Sequence, residues 1–174
     1  MTNKSSKIFV AGHNGMVGSA ICRLLTTRGY NNIISKPRSD LDLLDQKRVD
    51  LFFKIEKPEI VIDSAAVVGG ILANNNNPYR FLYENLQIQN NLINSSLNYG
   101  VNKFIFLGSS CVYPKMATQP ITEDALLTGQ LEETNQWYAI AKISGIKLIE
   151  SIRIKHKMDY VSLMPTNLYG PNDN

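Results

Sequence analysis

The strongest constraint on the fold of this sequence is a regular alternation of short apolar runs with longer stretches that carry apolar residues at helical spacing. Residues 7–11 form an apolar run typical of a buried strand. Residues 16–28 then follow the period of an amphipathic helix, which Gly29 ends. The pattern predicts further strands at 32–36, 60–63, 103–107 and 160–164, and helices at 45–56, 78–99 and 136–156. Alternation of this kind predicts an α/β fold with a Rossmann-like, doubly wound parallel sheet and helices on both faces.

Two segments do not follow the alternation. Residues 74–77 are four consecutive asparagines, which predict a loop, and Pro78 suits the first turn of the helix that follows. Residues 108–135 show no regular period and exceed the usual connection of about 2–6 residues. We therefore expect the second segment to be a functional loop beside the site.

Composition excludes several classes of protein. Eighteen Lys and Arg residues against 15 Asp and Glu give a net charge of +3, without the basic clustering of a nucleic-acid-binding protein. Cys22 and Cys111 are too few for a disulfide framework, and neither has the spacing of a zinc site. No apolar run reaches the roughly 18 residues of a membrane span, and the N-terminal run is too short for a signal peptide. We expect a cytoplasmic protein with reduced thiols, no metal and no membrane or nucleic-acid partner.

A glycine-rich turn lies between the first predicted strand and the first predicted helix. Glycines there allow a tight turn and let the backbone approach a pyrophosphate, whose charge then lies at the helix N-terminus. The alternative is a glycine-rich turn without a ligand. The candidate cofactor-binding residues of this turn are Gly12, His13, Asn14, Gly15, Met16, Val17 and Gly18.

The residues after the second predicted strand indicate which dinucleotide binds. An acidic residue there would bind the ribose 2′-hydroxyl of NAD, whereas basic residues would accommodate the 2′-phosphate of NADP. Lys36 and Arg38 follow this strand, and Asp40 comes later. The sequence favours NADP(H), unless both cations are only solvated surface charges.

Tyr138 and Lys142 lie four residues apart in a predicted helix, so both side chains belong to one helical face. A phenol is a weak acid at neutral pH, and a nearby ammonium is expected to lower its pKa toward the working range. Ser109 follows the fourth predicted strand, so its hydroxyl is expected at the carboxyl edge of the sheet, where ligands bind in such folds.

These motifs together resemble the extended short-chain dehydrogenase/reductase superfamily and, within it, the family of GDP-L-fucose synthases. The resemblance covers essentially the whole chain and rests on five segments, at residues 12–20, 68–75, 107–115, 138–147 and 164–174. Members of that family convert GDP-4-keto-6-deoxy-D-mannose to GDP-L-fucose. They epimerise C3 and C5 of the sugar and reduce the C4 ketone with NADPH.

The resemblance implies a role for each matching residue. Tyr138 and Ser109 would hydrogen-bond the ketone oxygen, Tyr138 would protonate it, and Lys142 would hold the nicotinamide ribose. Cys111 matches the thiol that exchanges protons with the sugar carbons. The resemblance also assigns a further set of residues to the cofactor, namely Leu107, Gly108, Ser109, Ser110, Pro165, Thr166, Asn167 and Leu168.

The sequence departs from this family in three places. Asn14 and Val67 replace a frequent Arg and a frequent Lys, and the family's second acid–base residue, a histidine, follows the segment that ends here at Asn174. We therefore expect residues 1–174 to form one NADP-binding domain that lacks the C-terminal domain gripping the GDP-sugar. A completed protein would be a homodimer, or a separate polypeptide would supply the second half. The alternatives are a catalytically inactive NADP-binding module and another nucleotide-sugar epimerase or dehydratase.

Overall fold

The strands form one parallel sheet in the computed structural model, which describes residues 3–173. Their bounds are β1 (Ile8–Ala11), β2 (Ile33–Ile34), β3 (Ile60–Asp63), β4 (Lys103–Leu107) and β5 (Asp159–Leu163). The order across the sheet is β2-β1-β3-β4-β5, and every neighbouring pair is parallel. From β1, the next strand is added on one side of the sheet (β2) and the later strands on the other side (β3 to β5). The strand order therefore reverses between β1 and β3, which is the place where doubly wound folds bind ligands.

Helices connect the strands, and local sequence explains where they begin and end. Their bounds are α1 (Met16–Thr27), α2 (Gln46–Glu56), α3 (Ile71–Asn76), α4 (Pro78–Asn98) and α5 (Gln136–His156). The Asp45 carboxylate caps α2 by accepting from the backbone N–H of Lys47 at 3.0 Å and of Arg48 at 3.1 Å. The segment between β4 and α5 contains three short 3₁₀ turns, at Ser110–Val112, Glu123–Ala125 and Glu133–Asn135.

The two faces of the sheet carry separate cores, which confirms the prediction of helices on both faces. Ile8, Val10, Ile60 and Ile62 pack with the apolar face of α1. The alternate strand residues, such as Phe9 and Phe106, belong to a larger core with α2, α4 and α5. Cys22 packs against the smaller core but is only partly buried.

Two local predictions are wrong. The asparagine run is helical rather than a loop up to Asn76, because α3 begins at Ile71 and packs against the turn Glu133–Asn135. The buried Asn74 side chain donates to the Gly69 carbonyl at 3.1 Å, so this residue contributes to folding the segment. Strand β2 covers two residues rather than 32–36, since it is an edge strand that pairs only with Ile8 and Phe9 of β1.

None of the helices within residues 3–173 combines the length and the apolar character needed to cross a membrane.

Candidate functional site

A cleft of about 750 Å³ opens beside the carboxyl ends of β1 and β3. This volume is in the range of about 300–1,000 Å³ that is usual for small-molecule and cofactor sites. The cleft brings together five separate parts of the sequence-predicted site. The residues concerned are Gly12, His13, Asn14, Gly15, Met16, Val17, Gly18, Lys36, Arg38, Leu107, Gly108, Ser109, Tyr138, Lys142, Pro165, Thr166, Asn167 and Leu168. Ser110 and Cys111 do not line it.

The three glycines of the turn after β1 have different physical roles. Gly12 has a φ of 77°, and a Cβ there would lie 2.7 Å from the Ala65 backbone nitrogen. A Cβ on Gly18 would lie 2.7 Å from the Gly12 carbonyl carbon, so α1 packs on the turn too closely for any side chain. The fold itself therefore requires glycine at these two positions.

Gly15 is different because the fold leaves room for a side chain there. Its φ is −76°, and a Cβ would meet only the Gly12 carbonyl oxygen, at an ordinary 3.5 Å. Gly15 caps the N-terminus of α1, where no side chain bonds to the backbone and the first turn has no acidic residue. An anion can approach these N–H groups directly, so the turn fits the pyrophosphate of a dinucleotide.

Lys36 and Arg38 form the end of the cleft beyond β2. Both residues are exposed, and the Arg38 Nε lies 3.7 Å from the Asp42 Oδ1. Since β2 neighbours β1 in the sheet, these cations lie on the same side of the cleft as the glycine turn. Two exposed cations at this position fit a 2′-phosphate.

Lys142 reaches from α5 to the end of β4. It is only 3% exposed, and its Nζ donates to the Leu107 carbonyl at 2.8 Å. The same Nζ lies 4.6 Å from the centre of the Phe106 ring and 5.7 Å from the centre of the Tyr138 ring. The helical spacing thus brings the phenol and the ammonium together, as predicted.

The electrostatic expectation for Tyr138 is wrong. Burial raises the pKa of its phenol, and a negative charge on Cys111, when that thiol is ionised, or on Asp63 raises it further. Burial also lowers the pKa of Lys142, whose ammonium bonds to a backbone carbonyl rather than to the phenol. Tyr138 is therefore a neutral phenol around pH 7, which makes it a proton donor rather than a base.

Cys111 lies in the first 3₁₀ turn after β4, and Ser109 caps the N-terminus of that turn. The Cys111 N–H donates to the Ser109 Oγ at 3.4 Å, and the Ser110 N–H donates to the Pro165 carbonyl at 3.1 Å. Burial raises the pKa of the Cys111 thiol, while a hydrogen bond with Ser109 and the charge of Lys142 lower it in part. The thiol is thus predominantly protonated at neutral pH and lies within the electrostatic reach of Tyr138 and Lys142.

Sequence reasoning missed two buried polar residues at this site. Asn85 on α4 fixes the loop after β3: its Oδ1 accepts from the Val67 N–H at 2.8 Å, and its Nδ2 donates to the Val67 carbonyl at 3.0 Å. Asp63 ends β3 and is fully buried, which raises the pKa of its carboxyl to about 6. The sequence signal that could have identified Asp63 is an acidic residue directly after the apolar run 60–62.

Among residues 3–173, no group of three or more His, Cys, Asp or Glu side chains is arranged to hold a metal ion.

The chain is similar to several known proteins. It is 59% identical over 174 residues to a putative GDP-L-fucose synthase of Arabidopsis thaliana, an alignment that covers 100% of this chain and 53% of the relative. A solved GDP-mannoheptose C4 reductase from Campylobacter jejuni with NADP bound matches 100% of this chain and 55% of its own length, with a TM-score of 0.96 and 41% identity. A GDP-L-fucose synthetase from Naegleria fowleri bound to NADP matches 100% of this chain and 57% of its own, with a TM-score of 0.88 and 30% identity.

The chain spans about half the length of the curated relatives it matches. The model of the NAD dependent epimerase/dehydratase family matches residues 8–174, which include every strand and helix described above. The glycine turn, the cleft between β1 and β3 and the Tyr138–Lys142 pair agree with this match, and the chain belongs to the NAD dependent epimerase/dehydratase family.

Proposed function

We propose that this chain is the NADPH-binding and proton-transfer part of an enzyme that converts GDP-4-keto-6-deoxy-D-mannose to GDP-L-fucose. The observation that carries the proposal is the single cleft that joins the glycine turn, the two cations after β2 and the Tyr138–Lys142 pair. The relative named GDP-L-fucose synthase, at 59% identity, supports this choice of substrate. The two solved neighbours that contain NADP support the choice of cofactor.

The cofactor-binding roles follow from the cleft. Residues 12–18 would hold the pyrophosphate, and Lys36 and Arg38 would bind the 2′-phosphate. Lys142 would hold the nicotinamide ribose, with its Nζ already fixed near the end of β4 by the Leu107 carbonyl. Bound NADPH supplies the hydride for the reduction of the C4 ketone. The segments 107–109 and 165–168 complete the wall, and the hydrogen bond from the Ser110 N–H to the Pro165 carbonyl joins the two segments.

The proton chemistry belongs to Tyr138, Ser109 and Cys111. Because its pKa is raised, Tyr138 is protonated and would donate its proton to the sugar O4 as the ketone is reduced. The Ser109 hydroxyl would donate a hydrogen bond to the same oxygen. The ketone acidifies the C–H bonds at C3 and C5. The histidine that the resemblance places after the segment ending at Asn174 would accept either proton, and the two hydrogen bonds to the ketone oxygen would stabilise the resulting enolate. Cys111, as a protonated thiol, would return a proton to carbon.

The proposal is tested in two steps. First, calorimetry should show that the 174-residue chain binds NADPH. Second, a chimera of this chain with the remaining part of the Arabidopsis thaliana relative should consume NADPH and form GDP-L-fucose from the 4-keto sugar nucleotide. The matched control is the same chimera with Tyr138→Phe, which should still bind NADPH but turn over roughly 10²–10⁴-fold more slowly.

Each other outcome identifies an alternative. NADPH binding without turnover in the chimera would indicate a non-catalytic NADP-binding module. A product that differs from GDP-L-fucose would indicate another nucleotide-sugar epimerase or dehydratase. Assembly of the completed protein as a homodimer and a location in the cytoplasm stay predictions, to be measured by light scattering and by imaging a tagged protein.

A further inference from the structure

Resting on the function proposed above, we propose that Asp63 is a positioning residue whose buried carboxylate supplies the counter-charge for the Lys142 ammonium beside Tyr138. Neither the Tyr-x-x-x-Lys spacing nor the glycine turn involves this residue. It acts through the two side chains of α5 and does not touch the substrate.

The sheet register directs Asp63 toward α5. Its Cα pairs with that of Ala11 on β1 and with that of Phe106 on β4. Partners in a parallel register carry their side chains on the same face of the sheet, and Phe106 faces α5. The Lys142 Nζ lies 4.6 Å from the centre of the ring of Phe106, the strand neighbour of Asp63, so the ammonium lies on the same face of the sheet as the carboxylate.

The bonding of Asp63 is incomplete. The side chain is 0% exposed, its Oδ1 accepts from the Ala65 N–H at 3.1 Å, and its Oδ2 has no hydrogen-bond partner. A buried carboxylate oxygen without a partner costs free energy that an apolar residue at the end of β3 would avoid. The compensation available in the structure is the charge of Lys142, which is 3% exposed and itself desolvated.

The other charged groups around the cleft do not replace Asp63. The sheet neighbours Ala11 and Phe106 are uncharged. On α4, Glu84 lines the cleft but pairs with Arg80, whose Nε lies 3.2 Å from the Glu84 Oε1. From the 3₁₀ turn after β4, Cys111 contributes a thiol whose pKa is raised by burial, so it is mostly uncharged.

The turn after β1 contributes His13, and the far end of the cleft beyond β2 contributes Lys36, Arg38 and Asp42. Asp63 is therefore the carboxylate that acts on both α5 side chains, since its charge raises the pKa of Tyr138 and of Lys142 alike. Both effects have the same sign. An ionised Asp63 favours the cationic form of Lys142 for the ribose, beside a Tyr138 phenol that burial already keeps protonated.

The pKa of Lys142 can be measured directly in the 174-residue chain from the pH dependence of its ¹³Cε chemical shift. In Asp63→Asn, which removes the charge and keeps the shape, the pKa of Lys142 should fall by roughly one unit or more. Asp63→Glu should restore part of the shift. The matched control is Asp124→Asn, which removes an exposed carboxylate outside the cleft and should leave Lys142 unchanged.

Two results would overturn the inference: an unchanged Lys142 titration in a folded Asp63→Asn chain, or an equal fall in Asp124→Asn. If Asp63→Asn does not fold, Asp63→Leu provides the same neutralisation with an apolar side chain. In the active chimera, the basic limb of the pH–rate profile should move to lower pH in Asp63→Asn, a change that a merely structural role would not produce. The titration of Lys142 needs no cofactor or substrate. The inference about Asp63 can therefore be refuted while NADPH binding is confirmed, and NADPH binding can be refuted while the inference about Asp63 is confirmed.

Discussion

Alanine substitutions at Gly15 and Gly18 should separate cofactor binding from folding within one turn of helix. A Cβ on Gly15 meets one atom, the Gly12 carbonyl oxygen at 3.5 Å, and it occupies the space through which a pyrophosphate would reach the α1 N-terminus. A Cβ on Gly18 overlaps backbone, 2.7 Å from the Gly12 carbonyl carbon and 2.8 Å from the His13 Cα. The first variant should lose affinity, and the second should lose stability.

The stability costs follow from these contacts. In Gly18→Ala the new methyl group overlaps backbone atoms, which cannot easily move, so we expect a destabilisation of about 3 kcal/mol, the upper end of the usual cost of overpacking. Better helix propensity returns about 1 kcal/mol. The net loss of about 2 kcal/mol should lower Tm by roughly 4–8 °C in a domain of this size. Gly15→Ala changes only a helix cap, at a cost of about 0.5 kcal/mol, so its Tm should fall by roughly 1–2 °C.

The affinity cost applies mainly to Gly15→Ala. If the methyl group blocks one charge-assisted hydrogen bond to the pyrophosphate, the loss is about 1.5–3 kcal/mol, or roughly 10-fold to 100-fold in Kd for NADPH. Calorimetric titration and thermal unfolding of both variants provide the test. Wild-type NADPH affinity in Gly15→Ala would refute the assignment of the turn to the pyrophosphate, and wild-type stability in Gly18→Ala would refute the packing argument.

Three further predictions concern charge and proton transfer. Lys36→Ala combined with Arg38→Ala should weaken NADP binding and leave NAD binding almost unchanged in parallel calorimetric titrations; equal losses for both cofactors would contradict recognition of the 2′-phosphate. Because burial raises the pKa of Asp63 from 3.8 to about 6, the wild type loses the stability linked to the protonated carboxyl as pH rises from about 4 through 6. Relative to the wild type, Asp63→Asn should therefore gain up to about 3 kcal/mol between pH 4 and 7 in denaturant unfolding, and a constant difference would refute the raised pKa. In the active chimera, Cys111→Ser should slow exchange of the sugar C3 and C5 hydrogens with deuterated water, measured by NMR, while ketone reduction continues; an unchanged exchange rate would refute the role of the thiol.

Local sequence determined most of the elements. Strands β3 and β4 and helix α5 have the predicted bounds, since the two strands are short apolar runs and α5 is an apolar-rich stretch too long for a strand. The Asp45 cap and the Pro78 start depend on nearest-neighbour backbone chemistry, which the sequence also contains. The glycine turn and the Tyr138–Lys142 spacing could also be predicted from the sequence, because each involves residues only a few positions apart in the chain.

Tertiary structure decided what depends on residues distant in sequence. The short β2 follows from its edge position beside β1, and the helical asparagines of α3 follow from packing on a turn some sixty residues later in the chain. The pKa shift of Tyr138 was predicted in the wrong direction, because the spacing of Tyr138 to Lys142 says nothing about burial. The pairing of β3 with β4 brings Asp63 beside Phe106, whose ring centre lies 4.6 Å from the Lys142 Nζ. Desolvation and charge act through space, so only the folded chain fixes which groups at this site carry a proton.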